Sequence, residues 1–151
     1  MAWRDKCREK NARSQYIPPE AIINKIDNEA VEFTKIFGKY LAKNDQTDRR
    51  REKALTTSQL RKFFGDLKRQ QLTGYDETSF ALLKPKLAYA VGRVKSTKEY
   101  NKIEDFADVV TNAINVILSP QCQDKAKSFN NFIDLMEAIV AYHKSEYVEK
   151  N

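Results

Sequence analysis

Lysine and arginine recur through the middle of this chain at spacings that a helix would gather onto faces. Arg61, Lys62, Lys68 and Arg69 form one block, and Lys84, Lys86, Arg93 and Lys95 form the next. Wound as a helix with Leu60 at zero, Arg61 and Lys68 fall at about 80–100° and Lys62 and Arg69 at about 180–200°, all off the apolar face. Within each pair the rise is about 10.5 Å along one face, enough to bridge several phosphates of a strand. In the second block, with Leu87 at zero, Lys86 falls at about 260°, Arg93 at about 240° and Tyr89 at about 200°. The chemistry that fits is contact with a phosphate backbone, and arginines with a flanking tyrosine suit RNA or single strands, where a planar group can stack on an unpaired base. Tyr89 reads equally as a half-buried packing tyrosine. Arg49, Arg50 and Arg51 add a third basic run, in a polar stretch.

The distribution of charge singles out the same region. Residues 49–98 hold thirteen Lys/Arg against four Asp/Glu, whereas residues 1–48 hold nine against eight and residues 99–151 five against nine. The middle third therefore carries +9 of a net +6, and the last third −4. Between Leu83 and Lys98 no acid occurs, although a surface shaped for solubility alone mixes both signs. Such asymmetry implies an anionic partner at the centre and a different, protein-facing surface at the C-terminal end.

Residues suited to catalysis are sparse. His143 is the single histidine, and it falls on an apolar stripe, which marks it as a core or surface-edge residue. Glu104 and Asp105 are adjacent, so a helix points them to different faces. Cys7 and Cys122 stand far apart without a CxxC spacing, which gives no zinc or redox motif and fits a reducing cytoplasm. The sequence holds no Gly-rich phosphate loop and no HExxH. The reading is a protein that is not an enzyme, without metal or cofactor. No targeting segment is evident near Met1, and no stretch approaches the roughly 20 apolar residues of a membrane span, so no membrane partner is expected.

The elements that must carry these residues are helices. Four glycines and four prolines in 151 residues are too few for the turns of a sandwich or barrel. Pro18 and Pro19 open a long helix whose stripe runs Ile22, Ile23, Ile26, Ala30, Phe33, Phe37, Tyr40 and Leu41, ending near Asn44. Lys43 to Lys53 is almost wholly polar and reads as a mobile loop. Thr56-Thr57-Ser58-Gln59 has the form of a capping box, followed by Leu60, Phe63, Phe64 and Leu67, with Gly74 as terminator. A third pattern, Phe80 to Val94, must kink or restart at Lys84 because of Pro85. Ile103 to Ile117 makes a fourth helix, stopped at Ser119-Pro120, and Phe129 to His143 a fifth. The fold class is all-α, a compact bundle of about five helices. Residues 17–151 are expected to form the bundle, behind a flexible basic N-terminal segment of residues 1–16.

Three blocks carry a resemblance: Leu55 to Phe64 (LTTSQLRKFF), Leu82 to Arg93 (LLKPKLAYAVGR), and Phe129-Asn130-Asn131-Phe132 with Met136 to Lys144 (MEAIVAYHK). In order and spacing they resemble the small subunit of the type III-A CRISPR effector (Csm) complex, over residues 55–144. The resemblance implies a non-catalytic helical scaffold, present in more than one copy, that lines the groove where the CRISPR RNA guide pairs with target RNA. It implies backbone and large subunits as partners, together with further copies of the chain, in cytoplasmic antiviral defence. The family's basic positions fall on Arg61, Lys62, Lys84, Lys86 and Arg93; Lys68, Arg69, Lys95 and Arg49 to Arg51 rest on geometry and charge. Two rivals remain: a helical DNA-binding regulator with Thr57 to Arg69 as recognition helix, and a protein adaptor whose basic patch docks an acidic partner.

Overall fold

The computed structural model describes Trp3 and residues 15–44, 52–98 and 100–148. Arg49, Arg50 and Arg51 lie outside the described residues. The described residues form seven helices: α1 (Pro19–Ile23), α2 (Asn28–Leu41), α3 (Thr57–Thr73), α4 (Glu77–Ala81), α5 (Leu83–Ser96), α6 (Ile103–Leu118) and α7 (Lys125–Glu146). Their extended backbone pairs once, as an isolated parallel bridge between Lys53 and Asn101.

Five predicted helices become seven because two periodic stripes are each cut once. The stripe from Ile22 to Leu41 is not one helix. α1 stops at Ile23, and Asp27 caps α2 by accepting from the Ala30 N–H at 2.9 Å. Ile26 keeps the apolar period while lying between the helices. Asn131 of α7 donates to the Ile22 carbonyl at 3.0 Å, satisfying a group the end of α1 leaves open. The second cut falls at Leu82, between α4 and α5. α5 restarts at Leu83, one residue from the expected position, and holds Pro85 in its first turn, where no intrahelical N–H is required.

The other boundaries follow their signals. Thr56 and Gln59 form the capping box of α3, with the Thr56 N–H donating to Gln59 Oε1 at 2.9 Å and the Gln59 N–H to Thr56 Oγ1 at 3.1 Å. Gly74, at φ +93°, ends the helix in a conformation that side chains other than glycine avoid. α6 ends at Leu118 before Ser119-Pro120, and Lys125 ties down its end by donating to the Ile117 carbonyl in the last turn and to those of Ser119 and Cys122 just beyond, at 2.9–3.1 Å.

α7, at 22 residues the longest helix, packs against α1, α2, α3 and α6. Its closest partner is α2, because Gly38 lets the two backbones approach. A Cβ there would stand 2.8 Å from the Ile139 carbonyl oxygen and 2.9 Å from Tyr142 Cβ. Trp3 is buried against Phe33, Phe37 and Tyr40, with its indole N–H donating to the Gln15 carbonyl at 2.7 Å. The expectation of a flexible basic segment over residues 1–16 did not include this anchor; residues 1, 2 and 4–14 lie outside the described residues.

The polar stretch before α3 is likewise tied down at its end. The Lys53 N–H donates to the Tyr100 carbonyl and the Lys102 N–H to that of Lys53, while the Leu55 N–H donates to Leu41. His143 Nε2 bonds the Leu55 carbonyl at 2.7 Å, and its ring stacks on Tyr147. Lys102 is buried, 3.7 Å above the Tyr40 ring, and donates to the Tyr40 carbonyl at the end of α2. The mobile-loop reading of Lys43 to Lys53 therefore does not hold at Lys53, and residues 45–51 of that stretch lie outside the described residues.

Candidate nucleic-acid interface

α3 and α5 rest on different neighbours, and the space between them is the candidate site. α3 lies mainly on α7 and α5 mainly on α6. A groove of about 970 Å³ opens where they diverge, floored by Phe63, Leu87, Ile103 and Phe106. Phe63 and Phe106 meet edge to face at 5.4 Å, which fixes the floor. Along α5 the apolar stripe is progressively uncovered: Leu83 and Leu87 are buried, whereas Ala90, Val91 and Val94 are half-buried.

Four cations line this groove: Lys62 from α3, Lys86 and Arg93 from α5, and Lys53 from the segment that precedes the capping box. Asp66 is the one acid among the lining residues, and it is already engaged by Arg69. Tyr89 also lines it and is 73% exposed, which places it as a surface aromatic and not a packing residue. No atom lies within 4 Å of a Cβ built on Gly92, so the chain itself makes no close approach there.

Of the twelve residues predicted from sequence, the structure brings together Lys62, Lys86, Tyr89 and Arg93. Arg61 is exposed on α3 outside the groove. Lys68 donates to Gln71 at 3.0 Å and stands over the Phe64 ring; Arg69 pairs with Asp66. Lys84 turns to α6 and donates to Asn115 at 2.9 Å, and Lys95 pairs with Glu104 at 3.4 Å. None of these five lines the groove.

Sequence reasoning missed Lys53, Gln59, Tyr100 and Asn101, which form one end of the groove. A signal for Lys53 existed, since it stands three residues before the capping threonine and must lie at the start of α3. Nothing local marked Asn101, whose amide donates to Gln59 Oε1 at 3.3 Å across 42 positions. His143 is buried, and loss of solvent pushes its pKa below the usual imidazole value. Asp105 accepts from the Tyr40 hydroxyl at 2.6 Å, and burial raises its carboxyl above the ordinary range despite that bond. Glu104 points away to Lys95, as adjacent positions on a helix require.

No helix among the described residues is long and apolar enough to cross a membrane. No curated protein and no solved structure matches the chain. The model of the Csm2 Type III-A family matches residues 37–149, from the second half of α2 through α7, a span that holds every lining residue of the groove. The chain therefore belongs to the Csm2 Type III-A family and is a small subunit of the type III-A CRISPR complex.

Proposed function

We propose that this small subunit contacts RNA through the α3/α5 groove and its basic margins and performs no chemistry of its own. In this reading it lines the path of the CRISPR RNA guide and target RNA beside the backbone and large subunits and further copies of itself, in the cytoplasm. The bundle over residues 17–151 acts as the scaffold. The observation that carries the reading is the convergence of Lys53, Lys62, Lys86 and Arg93, from three separate segments, around a groove whose lone acid is neutralised. Arg61, Lys68, Arg69, Lys84, Lys95 and the Arg49 to Arg51 run would extend the contact beyond it. Phosphate contacts position a strand without specifying its sequence, so binding should be salt-dependent and indifferent to sequence. The histidine that could serve acid–base chemistry is sealed against Leu55 and Tyr147, which supports the non-catalytic role.

The test is a variant with Arg61, Lys62, Lys86 and Arg93 all changed to alanine. All four are exposed, so folding should change by no more than about 0.5 kcal/mol per site. Single-stranded RNA should bind at least about tenfold more weakly, with the salt slope reduced by roughly 0.7 for each phosphate no longer neutralised. The control changes Lys25, Lys35, Lys127 and Lys144; Lys125 is kept because it caps α6. Equal loss in both variants would mean that net charge alone matters. No loss in either would favour the adaptor reading, and strong preference for one DNA sequence would favour the regulator.

A further inference from the structure

The groove between α3 and α5 holds more than phosphate contacts require. A surface that only tracks a strand's backbone needs cations, yet here the cations stand at the margin of a recess with an aromatic and aliphatic floor. Phe63, Leu87, Ile103 and Phe106 are each at most 7% exposed, whereas Ala90 and Val94 on the α5 wall remain half-buried and open to solvent. Apolar surface left to water in a recess of this size is a common property of small-ligand sites.

The end wall adds directional polar groups. Gln59 Oε1 is committed to the Thr56 N–H and the Asn101 amide. That commitment fixes which side of the amide carries the nitrogen, and its N–H groups have no partner among the described residues. Asn101 is locked in turn by accepting from the Ile103 N–H at 2.9 Å. An apolar, partly aromatic floor, an amide donor on the wall and cations at the margin match one kind of ligand, a planar heterocycle with hydrogen-bonding edges attached to a phosphate.

We infer that the recess takes a single unstacked base from an RNA strand whose phosphates lie on Lys53, Lys62, Lys86 and Arg93. The inference rests on the RNA reading above. It adds that a strand is gripped through one of its bases as well as its backbone. A base held in a duplex is paired at its edge and stacked on both faces, so it cannot reach the floor. Single strands should therefore be preferred to duplexes of equal length at the same salt. The charge at the margin argues against an apolar peptide side chain as occupant, since that would leave four cations without counter-charge.

The experiment compares a short oligouridylate strand with an otherwise identical strand lacking its bases, using the full chain. The wild-type protein should bind the first about tenfold more tightly, the weight of stacking a base. Ala90→Trp places an indole in the recess and keeps all four cations in the chain. It should remove this preference, lowering affinity for the oligouridylate strand far more than for the abasic strand. Circular dichroism establishes that the variant is folded. Val94→Trp fills the same space from the next turn, and the wild-type comparison stands without any variant. Equal wild-type binding of the two strands, or a preference that survives both folded tryptophan variants, would overturn the inference. Uridine monophosphate that competes as tightly as the strand would assign the recess to free nucleotides and overturn the strand-bound part. If the fourfold basic variant keeps full affinity for both strands, the RNA reading itself has failed. If it loses affinity while no base preference exists, the RNA reading stands and the recess proposal falls.

Discussion

The α2/α7 side and the α3/α5 side of this small subunit use similar materials to opposite ends. Where α2 meets α7 a glycine brings the backbones together, and on the same helix α2 Phe37 is fully buried among Trp3, Phe33 and Tyr40. Where α3 diverges from α5, an apolar stripe of the same period is left partly uncovered and is ringed by lysine and arginine. Amphipathic period alone therefore does not say where a stripe is buried. On one side burial holds the fold together; on the other, volume is left open beside four cations.

Truncation of side chains should separate the two sides by the widest margin. Phe37→Ala should cost about 3–5 kcal/mol, because a buried ring is removed and a cavity is left behind. Val94→Ala, on the open side, should cost no more than about 1 kcal/mol. Urea unfolding of both variants checks the contrast, and comparable losses would mean that the groove is closed in solution.

Glycine substitutions should give the next largest contrast. Gly38→Ala forces a methyl against the Ile139 carbonyl and Tyr142, so the helices must separate, at about 1–3 kcal/mol. Gly92→Ala adds the same methyl to empty space in a helix interior and should stabilise by about 0.5–1 kcal/mol. A loss at Gly92, measured by thermal melting, would reveal a contact that the open side is not expected to have.

Acid supplies a subtler probe. The folded-state pKa of His143 lies below 6.5 because burial disfavours the imidazolium. Between those two values the unfolded chain holds the proton and the folded chain does not. Stability present above pH 6.5 should therefore be lost as the pH falls through that window. His143→Gln keeps an N–H for the Leu55 carbonyl without a titrating ring, and its stability should be flatter over the same range. Asp105 acts in the opposite sense. Its pKa is raised above 3.8, so the folded chain binds the proton first and gains stability as the pH falls through the window above that value. Asp105→Asn should abolish this second, compensating trend while still accepting from Tyr40. Unfolding free energies measured across pH in the two variants would separate the contributions; an unchanged pH profile in either removes that residue as its source.

Sequence alone determined the helical class, the start of α3, the ends of α3 and α6 and the off-core placement of the basic residues on α3 and α5, because these follow from interactions spanning at most a few positions. A capping box, a terminating glycine, a proline and a period near 3.6 act within one or two turns. Local signals also contained the break before α2, in Asp27 and the Ala30 N–H it binds, but the continuous apolar period through Ile26 concealed it. Tertiary structure decided which basic residues share a site. Lys62 and Arg93 are 31 positions apart in sequence, and they face one groove because α3 settles on α7 while α5 settles on α6. The same packing turned Lys84 toward Asn115 and Lys95 toward Glu104, and it buried Lys102 on Tyr40. A helical wheel gives the angle of a side chain about its own axis, but it contains nothing about the neighbour that axis will find. The groove exists because two helices that are close in sequence find different partners, and that choice is made by the whole core.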